Sequence, residues 1–149
     1  GACGLRMARH KAYMVGVDLA EKMLEKASQH GVYDDLIAMS LNRYLAETQK
    51  TFDVIIAADV FVYMGDLSAV FAAVAERANK GALYAFSTEL ATEEEGDYIL
   101  RTTGRYAQSH GYINTLAHGN KFSVLLAKDI TVRQEQREHI PGKLYILQK

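Results

Sequence analysis

The chain has 149 residues, with 17 Lys or Arg against 18 Asp or Glu for a formal net charge of −1, and it holds one Cys, one Pro and no Trp. At 49% apolar and 23% charged residues it has the composition of one packed domain, which excludes a disordered tail and a fold that depends on disulfides. Balanced charge argues against nucleic-acid binding through bulk charge, no apolar run approaches the ~20 residues that cross a bilayer, and a lone Cys points to a reducing, cytoplasmic setting.

The chain opens on Gly1-Ala2-Cys3-Gly4, leading into a helix-like stretch over residues 5–11. This is the pattern of the second half of a glycine-rich strand-to-helix turn, so a first strand is expected to precede Gly1 in a longer chain. Residues 12–17 form a short apolar run that closes on Asp18, as a buried strand does. A helix is predicted over 20–29, where Met23, Leu24 and Ala27 recur at helical spacing and Gly31 takes the C-terminal cap position. Residues 35–39 make a second brief apolar run, and 41–49 read as helix or loop. The strongest strand pattern lies over 52–58, rich in Val and Ile and followed by Asp59. Asp66 is placed to cap a helix whose Leu67, Val70, Phe71, Val74 and Ala78 share one stripe and which stops at Gly81. Residues 82–86 are a further strand, with Ser87, Thr88 and Glu89 after it.

Past Glu89 the pattern changes. Residues 91–96 form an acidic loop, a solvated segment or a lid, and a helix is predicted over 106–118. Two extended segments, 122–132 and 144–148, are joined by the polar stretch 133–142, which suggests an antiparallel hairpin at a sheet edge. The alternation before it indicates a single α/β domain over 1–149: a mostly parallel sheet with helices on both faces, a C-terminal antiparallel hairpin, and the first strand absent from this sequence.

In open parallel sheets, ligands bind in the crevice outside the carboxyl ends of the strands. Asp18, Asp59 and Glu89 each follow an apolar run and are expected at that edge. Gly1 and Gly4 belong at the start of the first helix, where N–H groups are free and glycine admits close approach. Asp18 follows Gly1 at close to the ~20-residue offset at which an acid reaches a ribose diol, and a carboxylate accepts both hydroxyls. The alternative for Asp18 is a helix cap. The five histidines, His10, His30, His110, His118 and His139, show no ligand spacing, and with one Cys no metal is expected. Cys3 reads as a small loop residue rather than a nucleophile, and no hydrolase or metalloprotease motif is present.

Gly1-Ala2-Cys3-Gly4, then Val15-Gly16-Val17-Asp18-Leu19-Ala20-Glu21-Lys22-Met23-Leu24, resembles the first two motifs of class I S-adenosylmethionine-dependent methyltransferases. Phe52-Asp53-Val54-Ile55-Ile56-Ala57-Ala58-Asp59-Val60 is similar to that family's fourth-strand motif, and Lys80-Gly81-Ala82-Leu83 to the turn into its fifth strand. Gly104-Arg105-Tyr106-Ala107-Gln108-Ser109 and Pro141-Gly142 resemble segments of bacterial methyltransferases that follow tetratricopeptide repeats, which implies an upstream repeat domain. The resemblance implies a Rossmann-like fold, S-adenosyl-L-methionine as cofactor, and methyl transfer to a small molecule or protein side chain. It implies that Gly1 and Gly4 face the methionine moiety, that Asp18 binds the ribose hydroxyls, and that Leu19 and Met23 flank the adenine. Leu41 would serve the adenine ring through its backbone N–H. Ser40 stands where the family commonly has an acid, and a hydroxyl accepts more weakly there. Asp59 and Val60 would line the floor near the transferable methyl.

Methyl transfer requires alignment and exclusion of water, with a general base for a protonated amine or hydroxyl acceptor. Asp59, Glu89, Tyr63 and His110 are candidates for that base, and Asp59, Phe61 and Tyr63 offer acid and aromatic faces to a sulfonium. Asp59 and Tyr63 are the candidate catalytic residues, and Arg105, Tyr106 and His110 are candidate acceptor contacts. Surface ion pairing is the alternative for Arg105. Two other functions fit the same elements: a nicotinamide-dependent oxidoreductase, and a methyltransferase-like binding module without catalysis.

Overall fold

The computed structural model describes residues 2–11, 13–135 and 138–149, and the chain divides into two compact units, Gly1–Gln49 and Lys50–Lys149. In the first unit α1 (Ala2–Met7), β1 (Val15–Asp18), α2 (Glu21–Ser28), β2 (Asp35–Ala38) and α3 (Leu41–Glu47) follow one another. β1 and β2 pair in parallel, Val15 opposite Asp35 and Asp18 opposite Ala38, with α2 as the crossover that buries Ala27. Gly16 in β1 must be small: a Cβ there would lie 2.7 Å from Leu36 Cδ2 and 3.1 Å from the Tyr33 ring. Ahead of the strands, the Asp34 carboxylate accepts from Lys11 Nζ (2.6 Å) and Met14 N–H (2.7 Å). The Lys11 bond, then the Met14 bond, holds Asp34 below the usual carboxylate range.

The second unit is built on β4 (Ala78–Ala91), longer than the predicted 82–86 because it is paired along both edges. β3 (Phe52–Ala57) runs parallel to its first half, and β6 (Tyr106–Ser109) parallel to residues 89–91 on the same edge. The opposite edge takes β8 (Glu138–Gln148), which pairs antiparallel with β4 and with the outer strand β7 (Ser123–Glu135). β5 (Tyr98–Leu100) closes the other side against β6, so the six-stranded sheet is mixed rather than mostly parallel. Two register shifts, near Leu125 and Val132, break the regularity of β7, a common device on an edge strand.

α4 (Ser68–Arg77) and α5 (His110–Gly119) complete the second unit. Its core is aromatic: the Phe71 ring lies 5.6 Å from Tyr84 and 5.5 Å from Phe86, and Tyr145 stacks on Phe86 at 5.1 Å. Leu67, Val70, Val74, Ile113 and Ala117 fill the space around those rings. Burial pushes the Tyr84 phenol well above its ordinary pKa. Asp66 caps α4 from one position further out than expected, accepting from Ser68 N–H (2.8 Å) and Ser68 Oγ, while Leu67 holds the cap backbone position. Tyr112 Oη of α5 donates to Asp66 Oδ1 (3.0 Å) and accepts from Leu67 N–H (2.9 Å), tying the two helices together.

Three boundaries differ from the sequence expectation for physical reasons. α4 stops at Arg77 rather than Gly81, because Ala78 pairs with Phe52 and Gly81, at φ +82, bends inside a strand. The helix expected over 106–118 begins at His110, because Ser109 Oγ accepts from Tyr112 N–H (3.3 Å) and caps it there, leaving 106–109 as β6. The polar stretch 133–142 is strand over its described residues, Gln134 opposite His139 and Thr131 opposite Pro141. Among the described residues, no helix is long and apolar enough to cross a membrane.

Candidate functional site

In the first unit, the carboxyl edge of the parallel pair gathers Asp18, Leu19, Met23, Ser40 and Leu41. Met39 N–H donates to the Asp18 carbonyl (3.1 Å), which holds the two strand ends side by side. Asp18 Oδ1 accepts from Ala20 N–H (2.8 Å), so one oxygen does serve the turn into α2. Asp18 Oδ2 has no partner among the described residues. Leu19 is 74% exposed and Met23 46% exposed, which puts bare apolar surface beside that carboxylate. Ser40 Oγ accepts from Arg43 N–H (3.4 Å) and caps α3, whose first helical residue is Leu41. A small, open hollow of about 60 Å³ on this unit is lined by Asp18, Met23, Tyr33 and Leu36, with Gly16 at its base.

Gly4 sits buried within α1, where an added Cβ would collide with the Tyr33 phenol. The group that this glycine admits is therefore Tyr33. Gly1 lies outside the described residues. Cys3 is exposed.

In the second unit, Asp59 lies just past β3 with φ +57, and its N–H donates to Ser87 Oγ (3.2 Å). Left-handed backbone is costly for a residue with a Cβ and is tolerated best by Asn and Asp, so the site holds a small amount of strain. Val60 then leads into a 3-10 turn, Phe61–Tyr63. The turn points Tyr63 outward, 66% exposed, and Phe61 inward, 0% exposed and 5.4 Å from Phe86. Phe61 is therefore core packing and offers no aromatic face to a ligand, contrary to the sequence reading.

Glu89 is also displaced from its expected place. It lies inside β4, not at its end, and is buried in an ion pair with Arg133 of β7. The strand continues past it because β6 supplies a ladder for residues 89–91. Arg105 and Tyr106 are not helical: Arg105 closes a turn in which Arg101 N–H donates to its carbonyl (2.8 Å), and Tyr106 opens β6. The Tyr106 ring packs 6.2 Å from Tyr98, and Gly65 lets both rings approach the chain closely. His110 is engaged at both ring nitrogens, Nδ1 with Tyr145 Oη (3.0 Å) and Nε2 with Asn114 Nδ2 (3.0 Å). Burial, then the charges of Glu93 and Asp129, raises the Tyr145 phenol.

Two residues escaped the sequence reading, Ser87 as the partner of Asp59 and Gln108 of β6, whose Nε2 donates to the carbonyls of Phe61 (3.2 Å) and Met64 (2.7 Å). No periodicity marks either, since each acts across long sequence separation. Among the described residues, no group of three or more His, Cys, Asp and Glu side chains is arranged to hold a metal ion.

A profile of the methyltransferase domain family matches residues 1–81, more than half of the chain. The chain belongs to the methyltransferase domain family. Over 92 residues this methyltransferase domain is 32% identical to a ubiquinone biosynthesis O-methyltransferase of Pseudoalteromonas translucida, covering 59% of this chain and 39% of that protein. It thus spans well under half of that relative's length. An N-methyltransferase of Bradyrhizobium japonicum, solved in complex with S-adenosyl-L-homocysteine, superposes with a TM-score of 0.77 at 15% identity, covering 100% of this chain and 72% of that one. A magnesium protoporphyrin IX methyltransferase of Synechocystis, solved with bound S-adenosylhomocysteine, gives 0.73 at 17% identity over 100% and 69%. At these identities the likeness establishes the fold, a mixed α/β Rossmann-like architecture.

Proposed function

We propose that this methyltransferase domain binds S-adenosyl-L-methionine and moves its methyl group to a small-molecule or protein acceptor. The observation that carries the reading is Asp18, a strand-end carboxylate with one oxygen committed to Ala20 N–H and the other without a partner among the described residues. Exposed Leu19 and Met23 beside it fit a group that is polar on its sugar and apolar on its base. The residues present therefore suit a nucleoside. S-adenosyl-L-methionine, when bound, supplies an electrophilic methyl on a sulfonium sulfur.

On this reading Asp18 accepts from the ribose hydroxyls, Leu19 and Met23 flank the adenine, and Ser40 and the Leu41 N–H meet its polar edge. The resemblance assigns Gly1 and Gly4 to the segment that faces the methionine moiety; Gly4 would do so only through its backbone in α1, since Tyr33 fills the space beside its Cα. Asp59 and Val60 line the methyl end, the exposed Tyr63 ring offers its face to a cation, and the exposed Asp59 carboxylate can take a proton from the acceptor. Arg105 and Tyr106 are acceptor contacts, while His110 reaches an acceptor only by releasing Tyr145 or Asn114.

Support for the finer architecture comes from β3. It carries Val54 and Ile56 on one face and Ile55 and Ala57 on the other, as strands buried on both sides do, yet Val54 and Ile56 are exposed. Its edge away from β4 has no partner strand among the described residues. This supports a further strand on that edge, matching the expected first strand. The resemblance of residues 104–109 to repeat-associated methyltransferases supports an upstream repeat domain as partner, and the lone Cys a cytoplasmic setting.

Photo-cross-linking of methyl-labelled S-adenosylmethionine tests the reading. Label is expected on the wild-type protein, competed by S-adenosylhomocysteine and reduced in Asp18→Asn. Label that NAD competes as well as S-adenosylhomocysteine would contradict it and favour a nicotinamide site.

A further inference from the structure

Gln108 is completely buried in β6, an uncommon place for an amide. Both of its Nε2 protons are committed, one to each carbonyl that brackets the 3-10 turn, Phe61 O and Met64 O. Flipping the amide would set Oε1 against two carbonyl oxygens, so its orientation is fixed. Oε1 is left buried and without a hydrogen-bond partner among the described residues, which costs desolvation free energy. An apolar side chain of the same size would avoid that cost. The turn also closes without help, since Tyr63 N–H donates to Val60 O (3.2 Å) and Met64 N–H to Phe61 O (3.1 Å).

What the amide adds is a second anchor on the loop. Ser87 Oγ of β4 fixes Asp59 at its start, and Gln108 of β6 fixes residues 61–64 at its end. Asp59, Val60 and Tyr63 lie between these anchors. The turn has two neighbouring aromatics on opposite sides, Phe61 in the core and Tyr63 in solvent, so a rotation of the bracketing peptides would withdraw one and expose the other.

We propose that Gln108 is a positioning residue for the candidate site: through the Phe61 and Met64 carbonyls it holds the 59–64 segment in the shape that presents Asp59 and Tyr63 outward. The inference rests on the proposed methyltransferase reading for what the segment serves, and on the hydrogen bonds alone for the clamp itself.

Amide hydrogen exchange tests the proposal in two steps, the wild-type protein showing whether the 61–64 turn is held in solution and a Gln108 variant whether the amide holds it. The Tyr63 and Met64 amides are expected to exchange as slowly as those of β6, and exchange at unprotected-chain rates would overturn the proposal. In Gln108→Leu, which keeps apolar bulk, faster exchange is expected at Tyr63 and Met64 but not in α4 or α5, with S-adenosylhomocysteine bound ~10-fold more weakly. Unchanged exchange and affinity in a folded Gln108→Leu protein would overturn it, as would a uniform rise in exchange across the second unit with affinity unchanged. If Gln108→Leu does not fold, Gln108→Asn, one methylene too short to reach both carbonyls, is read the same way. Wild-type protein that fails to bind S-adenosylhomocysteine contradicts the cofactor reading instead, and the exchange rates still decide the clamp.

Discussion

Asp18 gives one carboxylate oxygen to the turn into α2, and the proposed function assigns the other to a ribose hydroxyl, which makes Asn the informative replacement. An Asn carbonyl still accepts from Ala20 N–H, so Asp18→Asn should leave the melting temperature nearly unchanged. It loses a charge-assisted bond to a hydroxyl, about 1.5–3 kcal/mol, and S-adenosylhomocysteine affinity by titration should fall about 10- to 100-fold. Equal affinity would remove Asp18 from the site. Asp59 poses a backbone question instead, because its φ of +57 is tolerated by Asp and Gly and resisted by β-branched side chains. Asp59→Val should destabilise the protein by about 1–2 kcal/mol in urea titration, whereas Asp59→Gly should change stability by less than about 1 kcal/mol while weakening cross-linking of the cofactor. Equal stability of the two variants would show that the left-handed turn is not held in solution.

The acidic run at 93–95 is a fixed element rather than a loose loop. Glu95 accepts from Arg101 Nη1 and Nη2 (the latter at 2.9 Å) and from Thr92 N–H (2.9 Å), and Arg101 Nη2 also reaches Leu90 O (3.3 Å). The Arg101 bond, then the Thr92 bond, holds the Glu95 carboxyl at about 2, below its ordinary 4.5. A depressed carboxyl stabilises the fold above its unfolded pKa and loses that contribution as pH falls through the folded one. Glu95→Gln should therefore be less stable than wild type at neutral pH, with the difference shrinking below about pH 4.5 and gone near pH 2 in acid titrations followed by circular dichroism. A constant difference across that range would contradict the ion pair. Deeper in the second unit, Phe71 touches Tyr84 and Phe86, and Phe71→Ala should cost about 3–5 kcal/mol in denaturant titration. The elements that sequence shows well are those with one repeating period: the run at 52–58 and the stripe Val70, Phe71, Val74 appear as β3 and α4. What it hides depends on distant partners. β5 is too short to show alternation, β6 passes for helix because its last residue is a cap, and β4 outruns its apolar core because β6 pairs with residues 89–91. Among candidate site residues, the place of Asp18 at the end of β1 is legible in the sequence, whereas the burial of Glu89 and Phe61 is not, since each turns on what packs from elsewhere in the chain.

At the scale of the whole molecule, the family profile runs through the first unit and on across β3 and α4 of the second. Each unit carries its own share of candidate residues, the set proposed to bind a nucleoside on the β1–β2 edge and the set around Asp59 and Tyr63 on the loop after β3. The mixed sheet of the second unit is shaped by β4, which serves β3 and β6 on one edge and β8 on the other. The proposed function stands on one ligand, S-adenosyl-L-methionine. Isothermal titration of the protein with S-adenosylhomocysteine, and in parallel with NAD, tests that ligand directly. Saturable one-to-one binding of S-adenosylhomocysteine with no heat from NAD is the expected result, and saturation by NAD alone would contradict the account.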